Sequence, residues 1–383
     1  MTGSKFRSEL KVKNINIYNL WGRDEISIPI NEKVTFLTGI NGSGKSSLLN
    51  IFFDSLVLDP KKMKMPGTSK NRFWSSRCTF TNDFIIETLI LPYLDNNIDL
   101  DKLDERLKDN LSDIKILKEV QNVFFEAESD EEITYISYDS EPKGEVWRKQ
   151  HTFPSKKAGE EFSIREQNPL AFIYQDDRVT LHARNEDSEK EKNSFYRSIY
   201  RSSIDERFEY LRDAIQVQES LYYKQLAGVF SKINEKIKFD DVIQSPEYAS
   251  VTEKLEEIDN IVLKLNSYFE MSGKQVVKDE YNKYTLALIN EDPDNEEYKP
   301  ISWNLLSRGE KTLLYLFFAV YYYKDKVNVF LLDEPDISLH VSWQENLISD
   351  LLSIAPNNQF IIATHSPSLV MNGWMDNCLD LKV

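Results

Sequence analysis

VTFLTGINGSGKSS, from Val34 to Ser47, is the stretch on which the reading of the whole chain turns. Val34-Thr35-Phe36-Leu37 is a short β-branched and aromatic run of the kind that forms a buried strand. Gly39 to Ser46 then satisfies G-x-x-x-x-G-K-[ST] at every fixed position. Leu48, Leu49, Ile51, Phe52 and Phe53 follow with helical spacing. Strand, glycine loop and helix in this order predict a phosphate-binding loop. Gly39, Gly42 and Gly44 let the backbone fold tightly, so that the N–H groups of a loop containing Asn41, Ser43 and Ser47 turn inward, where the helix N-terminus adds partial positive charge. Lys45 is placed to reach the β- and γ-phosphates of a nucleotide, and Ser46 to offer its hydroxyl to a magnesium ion.

The chain has 383 residues, enough for two or three domain-sized units. Hydrophobic residues make up 41% and charged residues 29%, which leaves ample material for a core. A formal net charge of -16 argues against a surface that attracts nucleic acid everywhere, although a local basic patch is compatible with it. Two cysteines, Cys78 and Cys378, make neither a disulfide framework nor a metal cluster, which suits a reducing cytosol. The N-terminal MTGSKFRSELK lacks the apolar core of a signal peptide. The longest apolar run, Thr312 to Tyr323, is too short to span a bilayer and reads as a buried helix. The expectation is a cytoplasmic protein with no membrane contact.

Upstream of the loop, Leu10 to Asn19 alternates with one slip of phase, as a strand with a bulge would, and Asp24 to Ile30 alternates again. These predict a small antiparallel sheet feeding the phosphate loop. Trp21, in the turn between them, offers an aromatic face for an adenine ring, though packing is the commoner use of such a residue. Lys61 to Arg77 holds six basic residues (Lys61, Lys62, Lys64, Lys70, Arg72, Arg77), no acid, and the pair Phe73-Trp74. Such interleaving grips phosphates and stacks bases in nucleic-acid binders, and otherwise marks a solvated loop with one aromatic anchor. Strands are expected over Cys78 to Leu91, a polar helix over Asp99 to Val120, and a hairpin over Val123 to Arg148 around an acidic turn at Glu126 to Glu132. Pro169 to Tyr174 reads as a further strand. Gln175 emerges at its end, a natural place for a side chain that touches metal and attacking water.

Asn185 to Asn193 is a charged linker, and two long helices follow it. Phe208, Leu211, Ile215, Tyr222, Val229, Ile233 and Ile237 largely follow three-and-four spacing, with Gln218 and Gln225 in two of the apolar slots, over a helix of about 50 Å at most. Val251, Leu255, Ile258, Val262, Leu265 and Phe269 repeat the pattern, with Ser245 and Pro246 as N-cap and first-turn proline. The pair predicts an antiparallel helical hairpin, either a projecting arm or a subdomain laid flat on the core.

Three later motifs complement the loop. Ser307-Arg308-Gly309-Glu310 opens the apolar helix with an S-x-x-E capping box, and a helix start with a serine hydroxyl and a glycine is also an anion site. Val327 to Leu332 is a buried strand delivering Asp333 and Glu334 at its tip, where open α/β sheets hold ligands. There Asp333 would hold magnesium through water and Glu334 would polarise the water that attacks the γ-phosphate. Phe360 to Thr364 is another strand, ending at His365, which can reach the γ-phosphate and help order that water.

GINGSGKSS, LLSRGEK, FLLDEPDISLH and FIIATHSPS together resemble the phosphate loop, signature, acidic strand and switch histidine of the ABC-type ATPase superfamily. Their order and spacing resemble its SMC/RecF-like branch. DEPDISLHVSWQ followed by ATHSP looks most like the ATPases of prokaryotic defence systems such as Septu, PARIS and the ATPase half of OLD nucleases. The motifs cover about half of the chain, at its two ends. Asn19-Leu20-Trp21 departs from the pattern, since many RecF-like heads carry Asn-Phe-Arg there.

The resemblance implies an α/β ABC-type ATPase head of mixed β-sheets with flanking helices and an inserted helical hairpin. The expected units are 1–94 and 281–383 for the two parts of the head, 95–168 for an inserted helix and hairpin, 169–185 for the strand carrying Gln175, and 186–280 for the arm. In this family ATP and Mg2+ are sandwiched between the phosphate loop of one subunit and the signature of another, so a homodimer of heads, or multiples of it, is expected with Ser307 and Gly309 reaching the partner's nucleotide. The expected role is a defence ATPase that senses an invader or restrains an effector. Because the chain stops at Val383, soon after the switch histidine, that effector, for instance a nuclease, is expected on a separate polypeptide. The competing readings are a RecF-like DNA-repair clamp, with DNA held by residues 61–77, and an ATP-bound scaffold with little turnover.

Overall fold

The computed structural model describes residues 10–18, 25–56, 74–81, 84–92, 132–138, 144–152, 170–175, 204–233, 238–289 and 298–381. Trp21, the basic residues 61–72, the polar helix expected over 99–120 and the linker at 185–193 lie outside them.

Two sheets form the head. The first is antiparallel and six-stranded, built from β1 (Val12–Tyr18), β2 (Glu25–Pro29), β4 (Trp74–Phe80), β5 (Phe84–Pro92), β6 (Glu132–Tyr138) and β7 (Gly144–Thr152), in the order β2-β1-β4-β5-β7-β6. The phase slip expected in β1 is a register shift between Val12 and Asn14 against β4. An antiparallel strand pair overlaps the hairpin expected over 123–148, but its strands are Glu132–Tyr138 and Gly144–Thr152, so Glu132 begins a strand rather than ending the turn. Its β7 pairs with β5 along nine residues, so the boundary expected at 94/95 runs through one continuous sheet. Arg77, grouped above with the basic residues, is inside β4, and its guanidinium meets Glu87 of β5 at 2.5 Å. That pairing takes it out of any basic surface.

The second sheet is parallel: β3 (Val34–Thr38), β8 (Ala171–Gln175), β11 (Val329–Asp333), β12 (Gln359–Ala363) and β13 (Cys378–Asp380) lie in the order β13-β3-β12-β11-β8. Every described residue of β8, β11 and β12 is buried, which is why these strands read as unbroken apolar runs. Helix α1 (Lys45–Leu56) follows β3 directly and buries Leu48, Leu49, Ile51, Phe52 and Phe53.

Two helices, α2 (Ile204–Phe230) and α4 (Pro246–Phe269), form the hairpin, joined through the short α3 (Phe239–Ile243). Phe230 at the end of α2 stacks edge-on against Tyr248 at the start of α4, so the two run antiparallel. Ser245 caps α4 as expected, its side chain accepting from the Tyr248 N–H, with Pro246 at the first position. The inner half of α2 is seated in the core through Phe208, Leu211 and Ile215, whereas Val217, Leu221 and Tyr223 are exposed. The hairpin is therefore laid on the head at its base, and α2 leaves one face exposed while Glu219 and Tyr222 keep the other against the head. α2 ends at Phe230, so it is about 40 Å long, within the limit of about 50 Å. A two-stranded hairpin, β9 (Lys274–Lys278) with β10 (Tyr284–Leu288), returns the chain to the head.

α5 (Arg308–Tyr323) is the pivot of the core, buried on nearly all sides. Tyr315 lies against Phe172 and Tyr174 of β8 on one side and Phe208 of α2 on another. Phe317 meets Tyr268 of α4, and Phe318 stacks on Tyr284 of β10. α6 (Val341–Ile354) and α7 (Pro367–Met371) complete the layer. Among the described residues no helix is long and apolar enough to cross a membrane.

Candidate nucleotide site

The parallel sheet delivers four loops to one edge, the C-terminal ends of β3, β8, β11 and β12, where α/β sheets hold ligands. The register does the placing: Asp333 stands opposite Gln175 on one side and Ala363 on the other, and Ala363 opposite Leu37. Residues from opposite ends of the chain are thereby brought within a few ångströms.

In the loop after β3, Gly42 and Gly44 take φ of +83° and +88°, a region that side chains disfavour, and the Ser43 N–H closes a tight turn onto Ile40 O at 3.1 Å. Lys45 is only 4% exposed. Its ammonium lies 3.2 Å from Gly39 O and 2.6 Å from His365 Nε2. The lysine donates, so this ring nitrogen accepts and His365 is neutral. Burial lowers the Lys45 pKa, opposed by the charges of Glu334 and Asp333. Burial also lowers that of His365, and the neighbouring Lys45 charge lowers it further.

Ser46 Oγ donates to Asp333 Oδ1 at 3.0 Å. Gln175, 3% exposed, donates through Nε2 to Asp333 Oδ2 at 3.3 Å and to Asn50 Oδ1 at 3.0 Å. Glu334 has a φ of +51°, an unusual conformation for a residue with a side chain, held by its N–H bond to Ala363 O at 2.8 Å. Its Oε1 is 3.5 Å from His365 Nε2. Burial, then Asp336 and Asp333, push the Glu334 carboxyl up to about 7. Asp336 is raised by burial too, against the pull of a Thr364 hydroxyl bond of 2.7 Å.

These groups surround a cleft of about 310 Å³ lined by Gly42, Gly44, Lys45, Ser46, Ser47, Glu334 and His365. The residues fit a nucleotide triphosphate with magnesium. The loop opens onto a helix start, and Ser43 Oγ is a buried donor with no partner among the described residues. Ser46, Asp333 and Gln175 make a hard-oxygen donor set. No cluster of three His, Cys, Asp or Glu among the described residues could hold a metal alone, as befits an ion that takes most of its ligands from phosphates and water.

Of the residues singled out from sequence, Asn41 is exposed at the loop tip, and Ser307 and Gly309 are not part of the cleft lining. Ser307 caps α5 in the expected box: its Oγ accepts from the Glu310 N–H, and Glu310 accepts from the Ser307 N–H at 2.8 Å. Gly309 is buried, and a Cβ there would come within 2.3 Å of Ser338 O. The glycine thus answers to a close approach inside the same chain. Sequence reading missed Asn50, Asp336, Thr364 and Gln344. The first could have been found, because Ser46 and Asn50 are four apart and share a helix face.

The chain is similar to several known proteins. The model of the AAA ATPase domain family matches residues 10–370. Endonuclease GajA of Bacillus cereus (strain VD045) is 30% identical over 114 residues, 30% of this chain and 19% of that protein, so the similarity spans about a fifth of that relative. The Retron Vc95 probable ATPase of Vibrio cholerae serotype O1 biovar El Tor is 20% identical over 392 residues, covering 94% of this chain and 71% of that one. A solved Smc head bound to the C-winged helix domain of ScpA aligns over 94% of this chain and 92% of its own, at a TM-score of 0.42 and 15% identity. With the family model matched over nearly its whole length, the chain belongs to the AAA ATPase domain family and is an ATPase.

Proposed function

We propose that this ATPase is a switch of prokaryotic anti-phage defence, in which two heads close on shared ATP and thereby govern a separate effector. The observation that carries it is the division of the motifs. The cleft gathers Lys45, Ser46, Glu334 and His365, whereas Ser307 stands exposed at the start of α5, outside that lining. A serine hydroxyl at a helix N-terminus suits the γ-phosphate of a nucleotide held by another copy. The retron similarity along 94% of the chain supports the defence setting.

In this reading Lys45 binds the β- and γ-phosphates, for which it leaves His365. Ser46 and, through water, Asp333 hold magnesium, with Gln175 beside them. Magnesium neutralises charge developing on the phosphoryl oxygens. Glu334 polarises the attacking water and His365 orients it. ATP then draws the second head in more strongly than ADP does, so hydrolysis times the assembly.

The experiment is Glu334→Gln with ATP and magnesium in sedimentation velocity. The variant should bind ATP, turn over at least about a hundredfold more slowly, and sediment as a pair of chains. Wild type with ADP should not pair. Turnover at the wild-type rate, or no ATP-dependent change in mass, would refute the reading.

A further inference from the structure

Glu334 and His365 sit on separate loops, and the strand ladder that brings them side by side ends at Asp333 opposite Ala363. Beyond it, the loops are joined by a ring of side-chain hydrogen bonds that passes through α6. Gln344, 8% exposed, donates through Nε2 to Leu339 O at 3.1 Å and to Asp336 O at 3.4 Å. Its Oε1 accepts from Ser366 Oγ at 2.6 Å. This amide orientation is the one that satisfies all three partners, because the reverse would set oxygen against two carbonyls. The Ser366 N–H donates to Thr364 Oγ1 at 2.9 Å, and Thr364 Oγ1 donates to Asp336 Oδ1 at 2.7 Å, which closes the ring. Glu334 is two residues from one node and His365 lies between two others.

We propose that Gln344 is a positioning residue for ATP hydrolysis, holding the Glu334 loop and the His365 loop at one spacing. The proposal rests on the roles given above to Glu334 and His365. The competing account is that Gln344 merely satisfies the carbonyls that precede α6. That account gives it no influence on kcat apart from binding. A closed ring of hydrogen-bonded polar groups, three of its four members buried, resists displacement more than its separate bonds would, and reacting groups moved by about 1 Å lose about a hundredfold in rate.

The test uses the full chain, with steady-state turnover and the affinity for a fluorescent ATP analogue. Gln344→Leu keeps the side-chain volume and removes the hydrogen bonds. It should lower kcat about tenfold or more and leave nucleotide affinity within about twofold. Ser366→Ala is a milder change at a half-buried position and should give the same pattern at smaller size. The double variant should be no slower than Gln344→Leu. If Gln344→Leu does not fold, Ser366→Ala alone decides. Wild-type kcat in the variants that fold would overturn the proposal, as would a loss confined to nucleotide affinity. In either case an inactive Glu334→Gln would leave the site reading standing, whereas an active Glu334→Gln would bring down that reading itself.

Discussion

Glu334 concentrates the chemistry of the site in one residue, with a left-handed backbone and a carboxyl lifted by burial to about 7. Below that value it is protonated and cannot accept a proton from water, so turnover should rise as pH passes upward through about 7, and Glu334→Gln should lose that limb. Linkage gives a second, independent reading of the same shift. Between the ordinary carboxyl value of 4.5 and about 7, the folded chain keeps a proton that the unfolded chain has released. Stability therefore falls as pH rises through that window, and Glu334 costs nothing below it. Glu334→Gln should melt above wild type at pH 8, by on the order of 2–4 °C, with the difference fading at pH 4; a difference that grew toward acid would contradict the sign. The residue types here were legible from sequence, because adjacent carboxylates at a strand tip have few other uses. The positive φ and the ring through Asp336, Thr364 and Gln344 were not, since both arise from loops that meet only in three dimensions.

Among the elements, α5 shows the same contrast. Its capping box and its buried character were readable from Ser307, Glu310 and the run from Thr312 to Tyr323, because both depend on local spacing. The reason for Gly309 was not local. Its missing side chain admits Ser338 O, in the loop that follows Glu334, and Ser338 itself has a φ of +71°. Gly309→Ala places a methyl group 2.3 Å from that oxygen, so the helix start or the loop must move. We expect a loss of about 1–3 kcal/mol in stability together with slower turnover, read by calorimetry and a steady-state assay; an unchanged melting point would show the contact to be slack. Other misreadings follow from the same limit. The outer turns of α2 mix polar and apolar residues, which hid its end at Phe230, and Glu132, expected in an acidic turn, instead opens β6. The pairing of β7 with β5 joins segments more than fifty residues apart, and no local pattern announces it.

At the scale of the whole molecule, the parallel sheet draws four of its five strands from the first and last parts of the chain and only β8 from the middle, which is why motifs in those two parts sufficed to indicate the head. β3, the strand that carries the phosphate loop, has β12 and β13 as its sheet neighbours, both from the last part of the chain. A chain ended at residue 358 should therefore show no cooperative unfolding transition and no ATP binding, although every residue of the glycine loop is present; retained binding would mean the loop folds without its sheet. The same arrangement bears on how the protein is made. Lys45 and His365, which touch, are 320 residues apart in sequence, so a ribosome exposes the glycine loop long before the strands that enclose it exist. During that interval the nascent chain carries a recognisable nucleotide motif with nothing to hold it in shape, and activity can begin only once the strand leading to His365 has been made.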